Sequence, residues 1–116
     1  MRPPEKTDPA LLWDMLDAAR TIQRFVSGRS FQNYLEDRML RGAVERHIEI
    51  VGVAASRVSP AMQADHPEIP WKKIVAQRNV LAHEYGELKH EMIWQVATIH
   101  IPALVVQLEP LVPPIP

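Results

Sequence analysis

Apolar residues recur at helical spacing through almost the whole of this chain. Leu12, Met15, Leu16, Ala19, Ile22, Phe25 and Val26 follow the three-and-four rhythm of a helix buried along one side. Asp8 followed by Pro9 predicts its start, with the aspartate as N-cap, and Ser27-Gly28 predicts its end. Ser30 predicts the cap of a second, longer helix running to about Val58. Its apolar residues are Phe31, Leu35, Met39 and Ala43 along one line, and Tyr34, Val44, Ile48, Val51 and Ala55 along another. A helix apolar on more than one face is central or packed against a partner. Gly42 and Gly52 inside it each cost about 1 kcal/mol relative to alanine. They therefore predict a close helix approach, such as one across a subunit interface.

Residues 60–70 carry three prolines and no helical period, and read as a loop. A third helix is expected from Pro70 or Trp71, with Trp71, Ile74, Val75 and Leu81 as its buried stripe and Gly86 just past its end. A fourth begins near Leu88, with Ile93, Val96, Ala97, Leu104, Val105 and Leu108 facing inward. Pro102 is expected to kink it or end its regular part. The tail, residues 110–116, is too rich in proline for helix and is expected to be extended and partly mobile. Strand alternation, repeats and heptad arrays are absent. The sum is an all-α protein, an antiparallel four-helix bundle, in one domain over residues 1–116.

Composition narrows the function more than the fold. Apolar residues make up 47% and charged residues 23%, the balance of an ordinary globular protein. The formal net charge of −1 gives no global basic field, so any RNA contact has to come from a local cluster. The chain has no cysteine, which excludes disulfides, thiolate metal sites and cysteine nucleophiles and fits a reducing compartment. The first six residues lack the apolar core of a signal peptide, and no apolar run approaches the ~20 residues that span a bilayer. The expected location is the cytoplasm, with no membrane contact.

Candidate chemistry concentrates in Arg78-Asn79-Val80-Leu81-Ala82-His83-Glu84-Tyr85. Arginine holds phosphate, histidine moves protons near neutral pH, and tyrosine offers a hydroxyl that can be modified. Arg78 and His83 are five residues apart, about 140° around an ideal helix. To act on one phosphate, either the helix loosens between them or a second subunit completes the site. Two histidines at one phosphodiester could divide RNA cleavage between a base and an acid, without a metal. Asn79 could bind phosphate, orient the histidine or cap the helix end. The plainer reading makes Arg78 and His83 a surface pair and Tyr85 a half-buried aromatic. His47, His66, His90 and His100 show no metal-ligand spacing and read as structural or solvated. Lys72 and Lys73 read as a solvated face, or as phosphate contacts if an RNA groove passes there. Asp37, Arg38, Arg41, Glu45 and Arg46 suit intrahelical ion pairs.

An ordered set of segments goes further than the short motif. Phe31-Gln32-Asn33-Tyr34-Leu35-Glu36-Asp37-Arg38, Gly42-Ala43-Val44-Glu45-Arg46 and His66-Pro67-Glu68-Ile69-Pro70-Trp71 precede residues 78–85, and Ile93-Trp94 follows. Together they resemble the HepT-like group of HEPN-domain proteins, the toxin half of HepT/MntA toxin–antitoxin pairs. The resemblance covers most of the chain except its two ends. It implies a four- or five-helix bundle that dimerises through its helices, with two R-x-x-x-x-H motifs in a shared cleft. It also implies a metal-independent endoribonuclease acting on tRNA or mRNA, with no cofactor. Arg78 and His83 would then be the catalytic pair and Asn79 a supporting residue. Tyr85 would be the residue that a partner nucleotidyltransferase antitoxin, similar to MntA, modifies with AMP, in a complex that could exceed a dimer. The alternative function is a non-catalytic HEPN subunit that binds substrate or partner for a nucleotidyltransferase. One departure stands out: Val51-Gly52-Val53-Ala54 replaces the I-G-E-A common among relatives, so the acidic residue is missing at Val53.

Overall fold

The computed structural model describes residues 6–83 and 86–113, with the side chains at positions 78, 82, 83, 87 and 88 outside that description. All regular structure among the described residues is helical, as the apolar spacing predicts. Four rods dominate: α1 (Asp8–Val26), α3 (Arg38–Arg57), α5 (Trp71–His83) and a C-terminal rod. Two short helices, α2 (Phe31–Glu36) and α4 (Pro60–Asp65), lie at the ends of α3.

Helix α1 starts at Asp8, and its N-cap is Thr7 rather than the expected Asp8. The Thr7 hydroxyl accepts from the Ala10 amide at 3.4 Å. Asp8 is thereby free for a distant partner. Its carboxylate accepts from the Ser59 amide at 2.9 Å and the Ser59 hydroxyl at 2.6 Å. Ser59 in turn caps α4, accepting from the Met62 amide at 3.2 Å. Two cap-forming residues stand side by side, and the tertiary partner decides which one caps. At the other end Ser27 closes α1 and Gly28 takes φ 72°, a left-handed turn that suits glycine.

These two donors hold the Asp8 carboxyl below its ordinary value of 3.8, the hydroxyl contributing most. Native Asp8 therefore binds its proton less tightly than the unfolded chain does. Its contribution to stability is present above the ordinary carboxylate pKa and is lost as pH falls through the lowered native value. Asp8→Asn is expected to lower the thermal midpoint at pH 7. The gap to wild type should shrink on acidification below pH 3.8. A gap that persists undiminished in acid would show that Asp8 does not act through its charge.

The long helix expected after Ser30 is two helices. Ser30 and Asn33 form a reciprocal capping box on α2, at 2.9 and 3.0 Å. The chain then breaks at Asp37 (φ −112°, ψ 96°), whose side chain caps α3 by accepting from the Leu40 amide at 3.0 Å. Arg41 donates back to the Leu35 carbonyl, and also to the Tyr34 carbonyl that already accepts from the Asp37 amide at 3.3 Å, so it covers the carbonyls at the early end of α2. Helix α3 buries Leu40, Val44, Ile48, Val51 and Ala55 against α1 on one side and α5 on the other. Gly42 is exposed, and among the described residues no heavy atom lies within 4 Å of where its Cβ would be. Among the described residues the expected close approach at Gly42 does not occur within one chain. Met39, three residues earlier, is 86% exposed on the same helix.

Residues 60–65 are helix α4 rather than loop, because Ser59 caps them and Pro60 sits where a missing amide costs nothing. The C-terminal rod is α6 (Gly86–Gln95), a π-helical turn at Val96–His100, α7 (Ile101–Leu108) and a 3-10 turn at Glu109–Leu111. The expected disturbance at Pro102 takes the form of that π turn. There the Ile101 amide reaches back to the Val96 carbonyl, a widened turn that makes room for the proline ring and lets the helix continue. The start of the predicted extended tail, Pro110 and Leu111, is accordingly still helical, and Val112 is extended (φ −113°, ψ 114°). Residues 114–116 lie outside the described set. By length and composition alone the rod Lys89–Leu111 could cross a membrane, a test that buried core helices also pass, so it does not overturn the sequence expectation. Its apolar residues Ile93, Ala97, Ile101, Leu104 and Leu108 are instead buried in the protein core.

Candidate functional site

Helix α5 is α-helical without interruption from Trp71 to His83, so it does not loosen between positions 78 and 83. Those positions stay about 140° apart around its axis. The backbones of Arg78 and His83 are placed by α5, while their side chains are outside the description. Tyr85 lies outside the described residues altogether. The exposed sector of α5 is marked by Lys72, Lys73, Ala76 and Asn79. Position 83, four residues after Asn79, falls by register in that sector, whereas position 78 falls on the flank shared with buried Trp71.

Asn79 lines an open cleft of about 790 Å³ between α3, α4 and α5. Lys72 lines it two turns earlier on the same face, beside Val75 and Ala76. Across from them stand Glu49 of α3 and Gln63 of α4. Trp71, buried, lines the cleft at the N-terminal end of α5. Its indole donates to the His66 carbonyl at 3.0 Å, which fixes the start of α5 against the turn before it. Gln63 is held by the Ala55 and Val58 carbonyls at 3.3 and 3.1 Å. Glu49 lies 3.6 Å from Arg46 one turn back, so part of its charge is offset.

The chain beyond position 85 is fastened separately. Gly86 has φ 73°, a conformation side chains resist. Three residues later the Lys89 ammonium meets the Glu45 carboxylate at 2.6 Å, with the two side chains only 18% and 24% exposed. This pair ties the first turn of α6 to α3. Glu45 therefore reaches another helix, while Arg46 makes the intrahelical pair expected of this region. Beside it, Tyr34 packs its ring against Trp94 and His90, with centroids at 5.3 and 6.2 Å. The Tyr34 hydroxyl is buried without a hydrogen-bond partner among the described residues. Burial pushes its pKa well above the ordinary tyrosine value, the Glu45 charge adds to this, and Arg41 partly opposes it. No local spacing in the sequence signals the Glu45–Lys89 pair.

The other expectations are placed as follows. His47 contacts the Ala43 carbonyl at 2.8 Å and meets the Phe25 ring edge-on, and His66 lies 3.4 Å from Glu68. His100 is exposed. Among the described residues no three histidine or carboxylate side chains converge on a metal-sized gap. Val53 lines a separate hollow with Asp14, Arg46 and Arg57. It is not among the described residues of the α5 cleft.

Comparison with known proteins adds what register cannot. A family model described as "Ribonuclease HepT-like" matches residues 15–111. A protein of Methanocaldococcus jannaschii named "Putative RNase MJ1380" is 28% identical over 100 residues, covering 86% of this chain and 92% of its own. "Putative RNase TTE0752" of Caldanaerobacter subterraneus is 31% identical, covering 85% of this chain and 88% of its own. "Probable ribonuclease HepT" of Thermococcus cleftensis is also 31% identical, over 80% of this chain and 84% of its own. No solved structure matches.

Proposed function

The chain belongs to the HepT-like ribonuclease family, and on that premise we propose that it is a homodimeric, metal-independent endoribonuclease, the toxin of a toxin–antitoxin pair. It cuts cellular RNA, either tRNA or mRNA, in the cytoplasm. Arg78 and His83 carry the chemistry and Asn79 supports it. His83 takes the proton of a ribose 2′-hydroxyl, whose oxygen attacks the adjacent phosphorus. The bond to the 5′-oxygen breaks as the same histidine of the second copy protonates that oxygen. Arg78 offsets the charge that builds on the non-bridging oxygens. The products are a 2′,3′-cyclic phosphate and a 5′-hydroxyl.

One observation carries this reading beyond family membership. The unbroken α5 holds positions 78 and 83 about 140° apart while presenting Asn79 to an open cleft. One helix so arranged supports half a phosphodiester site, and a two-fold axis would supply the rest. Tyr85 is the control point. A nucleotidyltransferase antitoxin joins its oxygen to the α-phosphorus of ATP and releases pyrophosphate. The added bulk and negative charge, two residues from His83, repel RNA.

The test uses purified protein and total RNA in excess EDTA. Discrete fragments ending in cyclic phosphate are expected. Cleavage that appears only when a divalent metal is supplied, or none at all, overturns the proposal. For the control point, intact mass is measured after incubation with ATP and the nucleotidyltransferase encoded beside this chain. A mass gain that survives Tyr85→Phe rejects Tyr85 as the acceptor.

A further inference from the structure

Lys72 and Lys73 are neighbours in sequence and diverge in space. Successive residues on a helix are about 100° apart. Lys72 points to the cleft with Asn79, whereas Lys73 lines a different hollow with Ile74, Gln77, His100 and Gln107. Both are exposed. Among the described residues no carboxylate lies within ion-pair distance of Lys72. Its charge is therefore not already spent on a partner among the described residues.

Position 72 shares one face of α5 with Asn79 and position 83, seven and eleven residues on. At the rise of a helix these separations are about 10 and 16 Å. A cation at that distance is too far to touch a phosphate held at position 83, but well placed for one a few nucleotides along the same strand. Across the cleft, Glu49 presents a carboxylate whose charge Arg46 only partly offsets. A phosphate chain in the cleft therefore finds an uncompensated positive charge on the α5 wall, at Lys72.

We infer that Lys72 is a positioning residue for substrate, and that the cleft between α3, α4 and α5 carries a single-stranded RNA segment along α5, with its backbone against Lys72 and Asn79. The inference rests on the ribonuclease reading and specifies where the strand runs. It also separates two lysines that composition treats as one basic pair: Lys72 contacts RNA and Lys73 does not.

Each lysine–phosphate contact to a single strand adds about 0.7 to the slope of log affinity against log salt, which is roughly four-fold in affinity at physiological salt. The experiment measures binding of a fluorescein-labelled oligouridylate by anisotropy across a salt series, in the full-length His83→Ala protein. Lys72→Ala in that background is expected to flatten the slope by about 0.7 and weaken binding about four-fold. Lys72→Arg should restore both, and Lys73→Ala should change neither. In protein with His83 intact, Lys72→Ala should raise KM and spare kcat. Equal effects of Lys72→Ala and Lys73→Ala overturn the track, because they would reflect net charge alone. An unchanged slope for Lys72→Ala in a preparation whose wild type cuts RNA overturns it while leaving the ribonuclease reading intact. A wild type that neither binds nor cuts RNA overturns both.

Discussion

Replacing His83 with alanine is expected to lower RNA cleavage by at least about 100-fold, since a positioned general acid or base contributes roughly 10²–10⁴. Two arguments make the loss large and specific. The proposed mechanism uses this histidine at both proton transfers, once from each copy, so one substitution removes base and acid together. By register the backbone of position 83 shares a face of α5 with Lys72, Ala76 and Asn79, which are exposed. A change there is expected to shift stability by no more than about 0.5 kcal/mol. Helix content, thermal midpoint and RNA affinity should therefore stay near wild type while single-turnover cleavage collapses. Retention of more than a tenth of the wild-type rate would remove His83 from the chemistry. A protein whose wild type shows no cleavage would support the binding-subunit alternative, in which there is no activity to lose.

The places where sequence reading stopped share a cause. Helices were legible because burying one face imposes a period that a single chain cannot hide. The stripes ending in Ala55 and Leu108 became core, and so did the first stripe as far as Ile22. Phe25 and Val26 are only partly buried against it, and Met39 of the remaining α3 line is exposed. Breaks were less legible. Asp37 divides α2 from α3 because a cap and a backward-reaching Arg41 act together, and neither signal is periodic. Thr7 and Asp8 can each cap a helix, and Ser59, fifty-one residues away from Asp8, settles which does. The same holds at the site. Arg78, Asn79 and His83 were legible as a motif through family resemblance. Spacing alone left open whether the helix loosened between Arg78 and His83. Lys72 and Lys73 were indistinguishable as letters, and only the placement of α3, α4 and α7 around α5 sends them to different hollows. The Glu45–Lys89 tie joins residues that no local pattern pairs.

Adding inactive subunits to active ones should poison cleavage more steeply than dilution allows. If one phosphodiester needs a histidine from each copy, only dimers with two intact subunits cut RNA. Activity then follows the square of the wild-type fraction, because a two-fold axis pairs subunits at random. A ten-fold excess of His83→Ala subunits, exchanged by co-refolding, is expected to leave about 1% of the activity that the same pool of pure wild type would give. A site complete within one subunit predicts about 9% instead, a linear fall. The geometry favours the steeper curve. Helix α5 is regular from Trp71 to His83, so its backbone holds the two motif positions about 140° apart. The open face of α3 around Met39 and Gly42 remains uncovered in the single chain. Subunit exchange is verified beforehand by co-purification of differently tagged copies. With exchange established, a linear decline would confine the site to one subunit and overturn the shared cleft. A quadratic decline would make each copy of the R-x-x-x-x-H motif half of an active site.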